Sequence, residues 1–140
     1  MFLLDTNVLS AMMSPQPAPA VAAWISGQQL ETLFTTTLCQ AEILAGIAIL
    51  PEGRRRAALA AAAQAMFADD FEKRVLPFDH DAAAAYANLF AACRRTGHPT
   101  PAIDLMIAAI ARTQGASVVT RNVADFAGCG IAVIDPWQAD

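Results

Sequence analysis

Short apolar runs alternate with longer helical patterns along most of this chain. The apolar runs predict strands, because each is bounded by turn residues or by the start of a helical pattern. They lie at residues 2–4, 32–35, 75–78, 117–120 and 131–134. Strands separated by helices are typical of parallel sheets with both faces covered. The pattern therefore predicts an α/β fold with about five strands in a mostly parallel sheet flanked by helices.

The helical patterns have recognisable start signals. Thr37 and Gln40 are spaced as a capping box, and Asp79 is a good cap for the helix that follows it. Thr100 is predicted to be the N-cap of the last long helix, with Pro101 as its first helical residue. The predicted helices cover residues 7–13, 20–26, 38–50, 52–74, 81–95 and 101–114.

Composition narrows the class of protein. The chain has 140 residues, of which 56% are hydrophobic and 16% are charged. That length predicts a single domain over residues 1–140, with an apolar excess that leaves surface for a partner. The net charge of −4 argues against a large basic surface for duplex DNA. A nucleic-acid substrate is still possible, since bound divalent cations reverse the local field.

The cysteines and the amino terminus predict a compartment. Cys39, Cys93 and Cys129 are far apart and odd in number, so neither a disulfide framework nor a soft-metal cluster is indicated. Only four residues precede Asp5, too few for a signal peptide or an anchor. No uncharged apolar run approaches the ~18 residues of a transmembrane helix. We expect a soluble, cytoplasmic protein that does not contact a membrane.

Four carboxylates stand among apolar residues: Asp5, Glu42, Asp104 and Asp125. An unpaired carboxylate in an apolar setting costs several kcal/mol, so four of them require a compensating cation. Asp5 and Asp125 follow predicted strands, at the sheet edge where ligands bind in open α/β folds. Carboxylate oxygens suit Mg²⁺ and also Mn²⁺. The pattern indicates metal-assisted hydrolysis of a phosphodiester bond.

Each of these residues also has a purely structural interpretation. Asp5 could cap the following helix, Asp104 could serve only the helix dipole, and Asp125 could be a turn residue. Glu42 is harder to explain in this way, because no cation stands three or four residues from it.

The motifs containing these acids resemble those of PIN-domain ribonucleases, and within them the VapC-like (FitB-like) toxins of type II toxin–antitoxin systems. MFLLDTNVLS is similar to the family's first acidic motif, and AEILAGI to its glutamate-containing helix. PAIDLMIAA is similar to the central aspartate motif, and TRNVADF to the last one. The resemblance spans essentially the whole chain and implies a PIN-like fold and an Mg²⁺-dependent endoribonuclease.

The resemblance also implies roles for individual residues. The four acids would form the catalytic quartet, with Asp5 and Asp104 as direct metal ligands and Asp125 acting through water. Neighbouring polar residues would orient the carboxylates, the water or the phosphate. These supporting residues are Thr6, Asn7, Thr120 and Asn122.

Partners are implied in the same way. VapC-like proteins are similar in forming homodimers and in being inhibited by a small VapB-like antitoxin, whose tail lies in an apolar groove. DNA would be reached only indirectly, through the antitoxin. The groove is expected on the helices at residues 20–26 and 38–50, with Trp24, Ile43 and Ile47 as contacts. All three could equally be ordinary core residues.

Basic residues offer weaker signals. Arg121 lies beside Asn122 and is a possible contact for the substrate phosphate. Arg54, Arg55 and Arg56 are adjacent and so face different sides of a helix, which favours a solvated helix start.

Two alternative functions remain open. One is a catalytically weak PIN-fold binding module that acts through an antitoxin complex on operator DNA. The other is a phosphohydrolase of the haloacid dehalogenase type, which normally has a second Asp two residues after the first. Asn7 occupies that position here.

Overall fold

The structure, a computed structural model, describes residues 1–138 and contains a five-stranded sheet in the order β3-β2-β1-β4-β5. All four strand pairings are parallel, as the sequence predicted. The last two residues of the predicted 1–140 domain lie outside the described residues. The strands are β1 Phe2–Leu4, β2 Leu33–Thr36, β3 Val75–Leu76, β4 Ser117–Val119 and β5 Val133–Ile134.

Six α-helices flank the sheet within the described residues. They are α1 Thr6–Met13, α2 Pro19–Ser26, α3 Thr37–Ala48, α4 Arg54–Ala65, α5 His80–Thr96 and α6 Ala102–Gln114. Short 3₁₀ turns occupy Leu30–Thr32 and Val123–Phe126. None of the helices in residues 1–138 is long and apolar enough to cross a membrane.

The continuous helix predicted over residues 52–74 is wrong. The α-helical part begins at Arg54, gives way to a π-helical turn at Met66–Asp70, and is over before Lys73, which has a φ of 60°. The wider turn is closed by the Phe71 amide, which donates to the Met66 carbonyl at 3.0 Å. It allows Met66, Phe67 and Phe71 to be buried together. Core packing therefore overrides the uniform helical propensity of this alanine-rich segment.

The predicted capping box of α3 is also wrong, by one residue. The hydroxyl of Thr36, not that of Thr37, accepts from the Cys39 amide at 3.1 Å. Thr36 is the last residue of β2, so the strand runs directly into the helix. This leaves no loop in which the first turn of α3 could move away from the sheet edge.

The other two cap predictions have opposite outcomes. Asp79 does cap α5, since its Oδ1 accepts from the Ala82 amide at 2.9 Å. Thr100 does not cap α6. The helix begins at Ala102 with Pro101 in the cap position and no side-chain cap, while the Thr100 hydroxyl lies 3.9 Å from the Cys93 sulfur.

Helix α6 is the most deeply buried helix of the fold. Its buried residues are Leu105, Ile107, Ala108, Ala109, Ile110 and Ala111. Burying each large aliphatic side chain contributes roughly 1.5–3 kcal/mol, and the alanines permit close approach of neighbouring elements. The amino end of α6, which carries Asp104, is therefore held firmly in place.

The centre of the sheet is where the strand order changes direction. Strand β1 pairs with β2 on one side and with β4 on the other. In open parallel sheets the carboxyl edge at such a point forms a crevice that binds ligands. Asp5, Thr36 and Thr120 stand at the carboxyl ends of these three strands.

Candidate active site

Asp5 lies at the centre of the crevice and is only 4% exposed. Its Oδ1 accepts from the Thr6 amide at 2.8 Å, so Asp5 caps α1, as the structural interpretation held. Its Oδ2 accepts from the Thr120 hydroxyl at 2.7 Å. The cap thus uses only one of the two carboxylate oxygens, and the second links β1 to β4.

Glu42 is held at the crevice by α1. The Thr6 hydroxyl, on the first residue of α1, donates to Glu42 Oε1 at 2.7 Å. Glu42 itself is exposed on α3. One threonine therefore positions two acids, Asp5 through its amide and Glu42 through its hydroxyl.

Thr120 organises the polar side of the crevice. It is completely buried, and its hydroxyl accepts from Asn7 Nδ2 at 3.1 Å and from the Asn122 amide at 3.0 Å. Asn7 Oδ1 in turn accepts from the Arg121 amide at 3.2 Å. The supporting polar residues predicted from the sequence thus lie together, although Asn122 takes part through its backbone.

Asp104 completes the cluster from the first turn of α6. Burial, followed by the negative charges of Asp5, Asp125 and Glu42 in that order of importance, raises its pKa to about 6. A helix amino terminus alone would stabilise the anion and lower the pKa. Desolvation and carboxylate repulsion act in the opposite direction to the helix dipole, and the raised pKa follows from these two effects. The structure therefore brings Asp5, Glu42 and Asp125 close enough to Asp104 for their charges to act on it.

Asp125 is both a turn residue and a neighbour of the other acids, which are the two roles considered from the sequence. It lies in the 3₁₀ turn Val123–Phe126, where its amide donates to the Asn122 carbonyl at 3.1 Å. Its negative charge also contributes to the raised pKa of Asp104. A turn role and a place in the acidic cluster are thus compatible in this residue.

Cys39 is a member of the cluster that sequence reasoning missed. Its sulfur lies 3.8 Å from Asp5 Oδ1, and ligand atoms of Cys39, Asp5 and Glu42 all lie within 4.8 Å of one another. Burial, followed by the charge of Asp5, raises the pKa of the thiol to about 11. The neutral thiol therefore donates to Asp5. Its position three residues before Glu42, on the same helix face, was the available signal.

The donor set fits a hard divalent cation. In residues 1–138, the hydrogen-bond donors to Asp5 and Glu42 are the amide and hydroxyl of Thr6, the hydroxyl of Thr120 and the thiol of Cys39. All of these are neutral, so they orient the carboxylates without balancing their charge. Clustered carboxylate oxygens with uncompensated charge are the ligands that Mg²⁺ and Mn²⁺ prefer.

The arginines considered from the sequence lie in different settings. The Arg121 guanidinium is stacked 4.9 Å from the centre of the Trp137 ring, while its backbone borders the crevice. Arg54 and Arg55 are exposed and Arg56 is half-buried at the start of α4.

A groove of about 290 Å³ adjoins the acidic cluster between α1, α3 and α4. Its lining includes the polar residues Thr6, Glu42 and Arg55 and the apolar residues Ile43 and Ile47. These two isoleucines are at least nine-tenths buried, so they are core residues that also line the groove. Trp24 packs edge-to-face on Phe2 at 5.1 Å and does not line it.

Comparison with known proteins gives a consistent set of relatives. Residues 2–127 match the PIN domain family. The chain is 42% identical over 139 residues to the plasmid stability protein StbB of Pseudomonas syringae, covering 99% of this chain and 100% of StbB. It is 38% identical to the VapC ribonuclease Y4jK of Sinorhizobium fredii and 35% identical to the toxin FitB of Neisseria gonorrhoeae. Both alignments cover 99% of this chain and 99% of the relative.

Solved structures show the same similarity. The fold matches a chain in the crystal structure of FitAcB from Neisseria gonorrhoeae with a TM-score of 0.93 and 34% identity, covering 99% of this chain and 100% of that one. It matches a chain of FitAB bound to an IR36 DNA fragment with the same TM-score and identity, over 100% of this chain and 98% of that one.

Proposed function

Because this chain belongs to the PIN-domain family, we propose that it is the toxin of a type II toxin–antitoxin pair and acts as an Mg²⁺-dependent endoribonuclease. The observation that carries the proposal is the clustering of Asp5, Glu42, Asp104 and Asp125 at one crevice. Ligand atoms of Asp5 and Glu42 lie within 4.8 Å of each other. Burial, followed by the charges of the other three acids, raises the pKa of Asp104 to about 6.

The relatives named as nucleases are the VapC ribonuclease Y4jK, 38% identical over 138 residues, and the tRNA(fMet)-specific endonuclease VapC of Shigella flexneri, 29% identical over 139 residues. Ribonuclease VapC14 of Mycobacterium tuberculosis is 44% identical over 46 residues. They support the activity but not the metal requirement.

In this proposal, each acid has a defined task. Asp5 and Asp104 would hold the cation directly, and Mn²⁺ would substitute for Mg²⁺. The bound cation would lower the pKa of a water molecule and neutralise charge on the phosphate. Glu42 and Asp125 would orient that water, and Asp125 would act through water rather than as a direct ligand.

The neutral residues would fix the geometry. Thr120 keeps one oxygen of Asp5 turned toward β4, at 2.7 Å, and Thr6 keeps Glu42 turned toward α1, at 2.7 Å. Asn7 ties the Arg121 backbone to the crevice. Asn122 would stand beside the phosphate, and Arg121 would contact it after leaving its stacked position on Trp137. Such prior positioning reduces the reorganisation required at the moment of reaction.

The test is cleavage of total bacterial RNA by the purified chain, free of any antitoxin, in Mg²⁺. We expect discrete fragments that disappear in EDTA and in Asp104→Asn. The matched control is Asp81→Asn, since Asp81 is exposed in the first turn of α5 and belongs to no cluster described above. Equal cleavage by Asp104→Asn and the parent would contradict the proposed site.

We also propose that the chain forms a homodimer and binds a small VapB-like antitoxin. The groove lined by Glu42, Ile43 and Ile47 offers apolar side chains next to an acidic one. An antitoxin segment with apolar residues and a terminal basic group would suit both. Because the chain carries a net charge of −4, DNA would be reached through the antitoxin rather than directly.

The second candidate function is a weak catalyst that acts mainly as a binding module on operator DNA. The related FitAB structure with bound DNA favours it. If this candidate function is right, the toxin–antitoxin complex should bind operator DNA equally well with and without the Asp104→Asn substitution. The unsubstituted chain should also cleave RNA no faster than the Asp104→Asn variant.

A cytoplasmic location is part of the proposal. Cys39, Cys93 and Cys129 are all free thiols in the structure. Proteins with free, partly accessible thiols are typical of reducing compartments.

A further inference from the structure

A second pocket lies at the junction of α5 and α6, outside the acidic cluster. We call it the α5–α6 pocket, and its volume is about 330 Å³. Its lining includes Phe90, Cys93, Arg94, His98, Thr100 and Leu105. This size, and a mostly apolar wall with a few polar groups, is typical of small-ligand sites.

One polar atom in the wall is unsatisfied. His98 Nε2 is shielded from solvent and has no hydrogen-bond partner among the described residues. Leaving a buried polar group unpaired is unfavourable, and such groups are uncommon in native proteins. The His98 backbone is fixed, because its amide donates to the Cys93 carbonyl at 3.1 Å. Because Nε2 is shielded in this structure, the ring would have to turn before Nε2 could face the pocket.

A row of flat side chains leads to the same pocket along α5. Tyr86 stacks on Phe90 with ring centres 6.0 Å apart and planes inclined by 24°. The Arg94 guanidinium carbon lies 5.8 Å from the centre of the Phe90 ring. Phe90 is nonetheless 43% exposed. An exposed aromatic ring beside a planar cation is the kind of surface on which unpaired bases stack.

The pocket is next to the acidic cluster. Leu105, in its wall, directly follows Asp104 in α6. Burial is the main cause that raises the pKa of Cys129, which lies beside Cys93 and Thr100, and the Asp104 charge makes a smaller contribution. Asp104 and the pocket wall are thus adjacent along α6, so one RNA strand could reach both.

We infer that the α5–α6 pocket binds one unpaired base of the RNA strand whose phosphodiester lies at the acidic cluster. The base would stack against Phe90 and Arg94, and its edge would supply the partner that His98 Nε2 lacks. Thr100, which also lines the pocket, would be the second hydrogen-bonding group. This inference rests on the proposed ribonuclease activity, and it adds a site that distinguishes single-stranded from paired RNA.

The charge around the pocket favours a nucleic acid. Arg94 and Arg95 are exposed at the carboxyl end of α5, whereas the chain as a whole carries a net charge of −4. A local positive rim in an acidic protein suits the phosphates on either side of a bound base. An acidic protein segment is the competing occupant, and the experiment below separates the two.

The test compares two substrates and three variants. The substrates are a single-stranded RNA oligonucleotide and bis(p-nitrophenyl) phosphate, which has no base. The variants are Phe90→Ala, His98→Ala and, as the matched control, Leu30→Ala, which removes an apolar side chain that is 60% exposed before the amino end of β2. We expect Phe90→Ala to raise the KM for RNA roughly tenfold, within the effect of one stacked base. Hydrolysis of the base-free ester should stay unchanged.

A modified oligonucleotide locates the base. At one position relative to the scissile phosphate, an abasic site should raise KM for the parent enzyme roughly tenfold but have little further effect on Phe90→Ala. An unchanged KM in both Phe90→Ala and His98→Ala would overturn the inference while leaving the ribonuclease proposal intact. Equal losses on both substrates would show a structural role for these residues. A change only in oligomeric state or antitoxin affinity would assign the pocket to a protein. Failure of the parent to hydrolyse either substrate would instead refute the proposed function.

Discussion

The Thr120 hydroxyl donates a 2.7 Å hydrogen bond to Asp5 Oδ2 across a separation of 115 residues. This bond joins the carboxyl ends of β1 and β4 and is completely buried on the Thr120 side. The same hydroxyl accepts two hydrogen bonds, from Asn7 and from the Asn122 amide. Removing it would leave three polar groups without this partner.

Thr120→Val should therefore be destabilising and should impair catalysis. The expected loss of stability is about 1–3 kcal/mol, because buried groups lose their hydrogen bonds. Urea denaturation measures the stability, and RNA cleavage in Mg²⁺ measures the activity. Thr120→Ser should restore most of both. In the control Thr113→Val, the lost bond is to the Ile110 carbonyl one turn earlier in α6, and the effect should be small. Equal stability of Thr120→Val and the parent would show that the network is not important.

Metal binding should depend on Asp5 more than on any neutral neighbour. Mn²⁺ should raise the Tm of the parent and fail to raise that of Asp5→Asn, since the carboxylate supplies both the charge and a ligand oxygen. Thr6→Val should retain a weakened response, because Glu42 loses only the 2.7 Å hydrogen bond that orients it. Differential scanning fluorimetry with increasing Mn²⁺ measures the response. A full response from Asp5→Asn would place the metal elsewhere.

The raised pKa of Asp104 predicts that the metal-free protein becomes less stable to unfolding as the pH rises. Folding raises this pKa from 3.8 to about 6, so the folded state favours the neutral form. The favourable contribution of neutral Asp104 to the free energy of unfolding is complete below pH 3.8 and is lost as the pH rises through about 6. Asp104→Asn, which is always neutral, should therefore be more stable than the parent in EDTA at pH 7.5, by about 1 kcal/mol after allowance for solvent screening.

Near pH 4 the two proteins should be equally stable, and unfolding curves at three pH values would show the trend. Mn²⁺ should reverse the order at pH 7.5 by stabilising only the parent. A stability difference that did not grow with pH would mean that the four acids repel one another less than their arrangement implies.

Native alkylation should distinguish the three cysteines. Cys39 is completely buried and its thiol pKa is raised to about 11, while burial also raises the pKa of Cys129. Cys93 is only partly buried. Because the thiolate is the reactive form, iodoacetamide at pH 8 should modify Cys93 first. Peptide mass spectrometry gives the order, and denatured protein, in which all three react, is the control. Early modification of Cys39 would show that the acidic crevice opens in solution.

Much of the fold was predictable because local sequence patterns determine it. Short apolar runs separated by helices predicted the parallel sheet, and Asp5 directly after β1 predicted where the crevice lies. The cap of α3 was not predictable at the level of one residue. Thr35, Thr36 and Thr37 are adjacent, and only the pairing of Thr35 with Val75 and Thr36 with Leu76 decides which hydroxyl is free to cap the helix.

Other features depend on contacts between distant residues. The alanine-rich sequence around α4 gives no sign of the π-helical turn, which follows from the burial of Met66, Phe67 and Phe71. The four acids were found because each is isolated among apolar residues. Cys39 was missed because a cysteine in an apolar helix looks like any other core residue. Its role became visible only when α3 was placed against the end of β1.

The long separation between Asp5 and Thr120 has a consequence for biosynthesis. Asp5 emerges from the ribosome early, whereas its partner Thr120, directly after β4, emerges only when most of the chain has been made. Translation adds roughly 5–20 residues per second. A nascent chain thus spends seconds with its acids exposed but without their final arrangement. Products of premature termination before β4 would lack that arrangement permanently. Such fragments should be harmless to the cell that makes them.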